Sequence, residues 1–183
     1  YVFNLKTGVK FHDGTNMTSE DVRYSLERAL AINDPHGPAW MLGQVLIPDF
    51  YTYEAGYWNT TQSKYIPGVP LDVISEHVWA VDADTIQLNL TSPYPAFLYA
   101  MCYNVGSVIS KSWVGPNYGF DFNGTAANNK LATDMCGTGP YTFESWTRNV
   151  NIILKAFPDY HMGEAAIENV VIQQIGSGAT RIL

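Results

Sequence analysis

YVFNLKTGVKFHDGTNMTSEDV, residues 1–22, carries the signals for a strand, two turns and the start of a helix. Polar and apolar residues alternate over residues 1–6, which is the period of a β-strand. Gly8 and Gly14 follow at positions where a tight turn needs the freedom of glycine. The stretch therefore predicts an extended segment that turns twice and then enters a helix.

The helix that follows residue 18 has the clearest periodicity in the chain. Thr18 is the predicted N-cap, and Asp21 stands three residues later at the capping-box position. The sequence Asn33-Asp34-Pro35 predicts its end. Its apolar positions recur at helical spacing, at Val22, Leu26, Ala29 and Leu30.

Short elements without regular β-α alternation fill the rest of the chain. We expect a second helix within 38–47, a long ordered loop at 48–70, a hairpin at 77–81 and 85–91, a short helix over 92–101, a strand at 105–109, a surface loop at 115–129, a hairpin at 141–146 and 151–157, and a strand at 170–175. This order predicts a mixed α/β (α+β) fold with largely antiparallel strands.

Composition excludes several classes of partner. The chain has 183 residues, 46% of them hydrophobic, which is enough for one sizeable core. A net charge of −7 argues against a nucleic-acid partner, which would require a basic face. No apolar run approaches the roughly 18 residues that a membrane span needs, so we expect no direct membrane insertion.

No motif predicts catalysis, a metal site or a cofactor. His12 and Asp13 lie in a turn, and the other three histidines lack the spacing of zinc ligands. The chain has no G-x-S-x-G motif, and Gly176-Ser177-Gly178 lacks the lysine of a phosphate-binding loop. We therefore predict a protein that is not an enzyme.

Three separated blocks carry a family resemblance. They are residues 1–22 with the F-H-D-G turn and T-S-E-D-V helix start, residues 85–98 with T-I-Q-L-N-L and S-P-Y-P, and residues 137–172 with G-T-G-P-Y, P-D-Y and V-V-I. Together they resemble family 5 solute-binding proteins, the dipeptide-, oligopeptide- and nickel-binding proteins of ABC importers. Ala156-Phe157 and His161 depart from the family's usual residues in a structural corner.

The resemblance implies a two-lobed, type II periplasmic-binding-protein fold that closes on its ligand by a hinge. Residues 1–183 would form a single partial domain, a fragment of lobe I, with the second lobe outside the chain. The implied function is capture of extracellular peptides or similar small solutes by a monomer that delivers them to a membrane permease.

A second function remains open from the residues alone. The same fold could serve as the solute-sensing domain of a regulator or signalling protein. The implied location for a transport protein is extracellular or periplasmic, with anchoring through an amino-terminal segment that precedes this chain.

The cysteines and glycosylation sequons favour an exported protein. Cys102 and Cys136 are the only cysteines and have no C-x-x-C spacing, and the resemblance places both in one lobe. We predict a disulfide between them, with two free thiols as the alternative. The candidate N-glycosylation sites are Asn16, Asn59, Asn89 and Asn123.

Tyr103 and Asn104 are the candidate ligand-binding residues. They stand between the predicted helix over 92–101 and the predicted strand at 105–109, a junction that resembles cleft-facing positions of the family. An ordinary loop is the alternative interpretation.

Overall fold

The computed structural model describes residues 1–62, 64–118, 131 and 134–176. The helices are α1 (Ser19–Ile32), α2 (Trp40–Leu46), α3 (Leu71–Ser75), α4 (Phe97–Met101) and α5 (Lys111–Tyr118). The strands are β1 (Val2–Asn4), β2 (Tyr57–Asn59), β3 (Lys64–Ile66), β4 (Val78–Asp82), β5 (Thr85–Leu88), β6 (Tyr141–Thr147), β7 (Asn151–Ala156) and β8 (Asn169–Gln173). All described strand pairs are antiparallel, so the predicted mixed class is confirmed.

The first sheet has the order β1-β5-β4 and forms one side of the core. Ile86 lies opposite Phe3 of β1 and Ala80 of β4. Ile86 and Leu88 are buried, whereas Gln87 between them points to the other face, as strand alternation requires. The hairpin predicted around residues 82–84 is thus confirmed.

Helix α1 packs its apolar stripe against this sheet. Val22, Leu26 and Leu30 are buried and belong to one core cluster with Ile86 and Leu88. Helices α2, α3 and α4 complete the cluster through Leu42, Leu46, Ile74 and Phe97. Amphipathic periodicity therefore predicted the central helix and its buried face correctly.

Both ends of α1 are held by the residues predicted to hold them. The Asp21 carboxylate accepts hydrogen bonds from the Thr18 backbone N–H and hydroxyl, each at 2.9 Å. At the other end Asn33 takes the left-handed conformation, φ 45°, and donates its backbone N–H to the carbonyl oxygen of Ala29.

The sheet β6-β7-β8 presents one apolar face. Leu154 lies opposite Phe143 on one side and Val170 on the other. Ile152 likewise lies between Trp146 and Ile172, and both of these flanking residues are exposed. Both predicted elements of this region, the hairpin and the final strand, are confirmed.

Three predicted elements differ from the structure. The stretch at 48–70 contains a short 3-10 turn and the hairpin of β2 and β3, so it is not a loop throughout. The stretch at 105–109 is not a strand; a 3-10 turn occupies Asn104–Gly106. Part of the loop predicted at 115–129 is α5, and residues 119–129 lie outside the described part of the chain.

The helix predicted over 92–101 begins only at Phe97. Pro93 and Pro95 explain the late start, because a proline disfavours helical backbone in the residue before it. Tyr94, between the two prolines, accepts the first bond of the turn from the Phe97 N–H at 3.0 Å.

Candidate functional site

The two predicted ligand-binding residues occupy different environments. Asn104 begins the 3-10 turn after α4 and lines a cavity of about 370 Å³ between that turn and α1. Tyr103 is 53% exposed and does not line this cavity. The structure therefore separates the two side chains, although they are neighbours in the chain.

One face of α1 forms the opposite wall of the Asn104 cavity. Ser25, Arg28 and Ile32 line it at spacings of three and four residues, which places them on the same side of the helix. Arg28 was not predicted from the sequence, because it lies outside the apolar stripe of α1.

Hydrogen bonds hold α1 against the segment that carries Asn104. The Ser25 hydroxyl accepts the Ile109 backbone N–H at 2.9 Å and donates to the Asp21 carbonyl oxygen at 2.7 Å. The Asp21 carboxylate accepts the Lys111 backbone N–H, also at 2.9 Å. The walls of the cavity are thus fixed relative to each other.

The electrostatics of this wall are set by a partly buried cation. Burial lowers the pKa of Arg28, and the nearby phenols of Tyr24 and Tyr65 act in the opposite direction. Burial also raises the pKa of both tyrosines, an effect that the Arg28 charge reduces. Arg28 and Asn104 both line the cavity, and guanidinium and amide groups carry donors that suit carboxylate or carbonyl oxygens.

The F-H-D-G and G-T-G-P motifs meet in one place, which we call the turn junction (residues 11–14 with 136–139). The His12 backbone N–H donates to the Gly137 carbonyl oxygen at 2.9 Å. The His12 ring lies between the Gly137 N–H, at 3.4 Å, and the Gly139 carbonyl oxygen, at 3.0 Å. Both ring nitrogens therefore have backbone partners that hold the two turns together.

Asp13 also makes structural contacts at the turn junction. Its carboxylate accepts hydrogen bonds from Thr15, through the backbone N–H and the hydroxyl, and from the Ser110 hydroxyl at 3.1 Å. Burial acts to raise the pKa of Asp13, but these hydrogen bonds together hold it below its ordinary value. Asp13 is therefore an ionised acceptor that orders the turn.

The predicted disulfide is not present in the structure. Cys136 is a buried free thiol at the turn junction, and Cys102 is an exposed free thiol at the end of α4. The two lie in different surroundings, because Cys136 is beside Asp13 whereas the Cys102 N–H closes the last turn of α4. Burial raises the pKa of Cys136 to about 11, so this thiol is not a nucleophile at neutral pH.

The candidate glycosylation sites occupy varied positions. Asn16 is exposed in a bridge with Lys10, whereas Asn59 and Asn89 are half-buried. The Asn59 side-chain oxygen Oδ1 accepts the Gln62 backbone N–H, and the Asn89 side-chain oxygen accepts a hydrogen bond from the Gln87 side-chain amide. Asn123 lies outside the described residues.

The described residues include neither a cluster of potential metal ligands nor a membrane-spanning helix. Within the described ranges, no group of three or more His, Cys, Asp or Glu side chains is placed to hold a metal ion. None of the helices described is long and apolar enough to cross a membrane.

Comparison with known families matches the whole chain. The sequence model of the bacterial extracellular solute-binding proteins, family 5 (middle region), aligns with residues 1–183. The chain belongs to this family. The resemblance seen in the three sequence blocks is confirmed.

Family 5 relatives of known name include two peptide-binding proteins. The probable D,D-dipeptide-binding periplasmic protein DdpA of Escherichia coli K12 is 26% identical over 183 residues, which are 100% of this chain and 28% of DdpA. Di/tripeptide-binding protein 2 of Pseudomonas aeruginosa UCBPP-PA14 is 26% identical over 178 residues, covering 94% of this chain and 29% of that protein. The chain thus spans less than a third of the length of these relatives.

Solved structures of family 5 type share the fold. DppA from Helicobacter pylori, in complex with the peptide STSA, superposes with a TM-score of 0.68 at 23% identity, over 100% of this chain and 32% of DppA. The oligopeptide-binding protein AppA from Bacillus subtilis, in complex with a nonapeptide, gives a TM-score of 0.69 at 19% identity, over 99% of this chain and 29% of AppA. At these identities the likeness shows the fold alone.

Proposed function

We propose that this chain is part of lobe I of the substrate-binding component of an ABC importer. The protein captures extracellular peptides or similar small solutes as a monomer and delivers them to a membrane permease. It works outside the cytoplasm, in the periplasm or at the cell surface, and is anchored by a segment that precedes residue 1. It is a binding protein and catalyses no reaction.

The observation that carries this proposal is the family match over all 183 residues. The named relatives support the peptide class, since they are described as binding dipeptides or tripeptides. The Asn104 cavity adds a chemical argument, because a guanidinium, an amide and apolar side chains suit a short peptide.

Titration with peptides tests the proposal. We expect a protein that includes the second lobe to bind members of a mixed di- and tripeptide library, and residues 1–183 alone to show no binding at micromolar concentration. A site between two lobes loses about half of the surface that buries a small ligand when one lobe is missing. Isothermal titration calorimetry measures both. Micromolar binding by residues 1–183 alone would place the site wholly within this chain.

Substitution of the candidate ligand residues is a second test. We expect Asn104→Ala to weaken peptide binding about five-fold to ten-fold, the value of about one hydrogen bond. We expect Tyr103→Ala to weaken it less, because Tyr103 does not line the cavity. Tyr99→Ala is the matched control, since Tyr99 is 82% exposed on the neighbouring α4. Unchanged affinity of Asn104→Ala would remove this cavity from the peptide site.

A further inference from the structure

A second cavity, of about 500 Å³, lies at the C-terminal end of α1. It shares only Asp34 with the Asn104 cavity. Most of its lining side chains are aromatic or acidic, and we call it the aromatic cavity: Trp40, Phe50, Tyr51 and Tyr53 with Asp34 and Glu54, beside Asn33, Pro35 and Ala55.

The aromatic walls are held in place by α2. Gly43 of α2 leaves room for the Phe50 ring, because a Cβ atom at Gly43 would lie only 2.1 Å from Phe50 Cε2. The Phe50 and Tyr51 rings meet edge to face, with centroids 5.5 Å apart. The Tyr51 hydroxyl donates to Gln44 Oε1 at 3.1 Å, which orients the ring. The aromatic groups therefore form an ordered wall.

Two of these aromatic side chains are open to solvent. Trp40 is 49% exposed and Tyr51 is 73% exposed. Such rings offer free faces to a ligand, and the face of an aromatic ring carries the negative part of its quadrupole.

The C-terminal cap of α1 brings Asp34 and Glu54 to the aromatic cavity. The Asn33 side-chain amide donates to the carbonyl oxygens of Tyr53 and Glu54, both at 3.1 Å, which anchors residues 53–54 beside the helix end. Asp34 follows Asn33 directly, and its carboxylate accepts the His36 backbone N–H at 2.9 Å. No lysine or arginine is among the described residues that line the cavity.

Aromatic faces and carboxylates attract the same chemical group. A cation within about 6 Å of an aromatic ring gains from the ring quadrupole, and a carboxylate adds direct charge attraction. We propose that the aromatic cavity is a separate ligand site that binds an alkylammonium group. The group could belong to a free amine or to a lysine side chain, because both present the same cation on an apolar stem.

Choline and its neutral carbon analogue, 3,3-dimethylbutan-1-ol, distinguish charge recognition from apolar contact. In NMR spectra of the full protein, we expect added choline to shift the indole N–H resonance of Trp40 and the backbone resonances of residues 51–54. The shifts should saturate as the choline concentration rises. The neutral alcohol should bind about two-fold to five-fold more weakly, as cation–π energies at exposed sites imply. n-Butylammonium and N-α-acetyl-lysine amide, used in the same way, separate the free amine from the side-chain source.

Two variants and one control complete the test. Trp40→Leu and Glu54→Gln should each weaken choline binding by about five-fold, whereas Trp79→Leu, an exposed tryptophan on β4, should leave it unchanged. Glu54→Gln preserves shape, so its effect stands even where Trp40→Leu perturbs α2. Equal binding of choline and the neutral alcohol, unaltered affinity in Glu54→Gln, or shifts confined to other tryptophans would each overturn the proposal. Peptide affinity is measured on the same variants and should not change, so a failure here is distinct from a failure of the transport function.

Discussion

Leu26→Ala is expected to lower the free energy of unfolding by about 2–5 kcal/mol. Leu26 is 1% exposed and belongs to the core cluster that joins α1 to the first sheet. The substitution removes buried apolar surface and leaves a cavity that neighbouring side chains fill only in part. Chemical denaturation followed by circular dichroism measures the change.

Leu98→Ala is the matched control for Leu26→Ala. Leu98 also lies on a helix but is 50% exposed, so the same chemical change should cost less than about 1 kcal/mol. Similar small losses in both variants would contradict the packing of α1 described above.

Asp21→Ala is expected to lower the free energy of unfolding by about 3 kcal/mol. Asp21 is 8% exposed, and its carboxylate accepts bonds from Thr18 and from the Lys111 backbone N–H. Alanine leaves these donors without their acceptor in a buried position, and hydrogen bonds to charged groups are the stronger ones. Thermal and urea unfolding of the variant give the measurement.

Two further variants separate the buried network from simple loss of charge. Asp21→Asn keeps one acceptor oxygen and should fall between the wild type and Asp21→Ala. Glu20→Ala removes a neighbouring charge whose pairs with Arg23 and Lys111 are at the surface, so its loss should stay below about 1 kcal/mol. Equal losses for Glu20→Ala and Asp21→Ala would show that only the first-turn charge of α1 matters.

Elements with strong local signals could be predicted from the sequence. Helix α1 combines a cap, an apolar stripe and a C-terminal Asn-Asp-Pro stop, and each signal agrees with the others. The hairpin of β4 and β5 was equally clear, because alternation at Ile86 and Leu88 matches one buried face.

Elements determined by distant contacts could not be predicted. Strands β2 and β3 have three residues each, too few for a period to appear. Val105 is buried as an apolar run suggests, yet the described chain offers no strand beside it. Gly106 passes so close to α4 that a Cβ atom would lie 2.1 Å from the Met101 carbonyl oxygen, and the chain turns there instead of extending.

The candidate site was predictable only in part, for the same reason. Asn104 was predicted from its place between two elements, and it lines a cavity. Arg28 reaches that cavity because α1 and the segment at 104–109 are packed together, which local periodicity does not encode. The predicted cysteine pair is not found in the structure, and an even number of cysteines carries no information on which segments become neighbours.

The turn junction also has a consequence for the order in which the chain folds. The sheet β6-β7-β8 is made of hairpins between sequence neighbours, so it can form locally and early. The contact of His12 with Gly137 closes a loop of 125 residues, and that closure costs entropy which local contacts do not. Lys10 adds a second contact between the same two parts of the chain, through its ion pair with Asp159 at 2.8 Å. We therefore expect a disturbance of residues 11–14 to weaken the contact between the β6-β7-β8 sheet and the amino-terminal part of the chain.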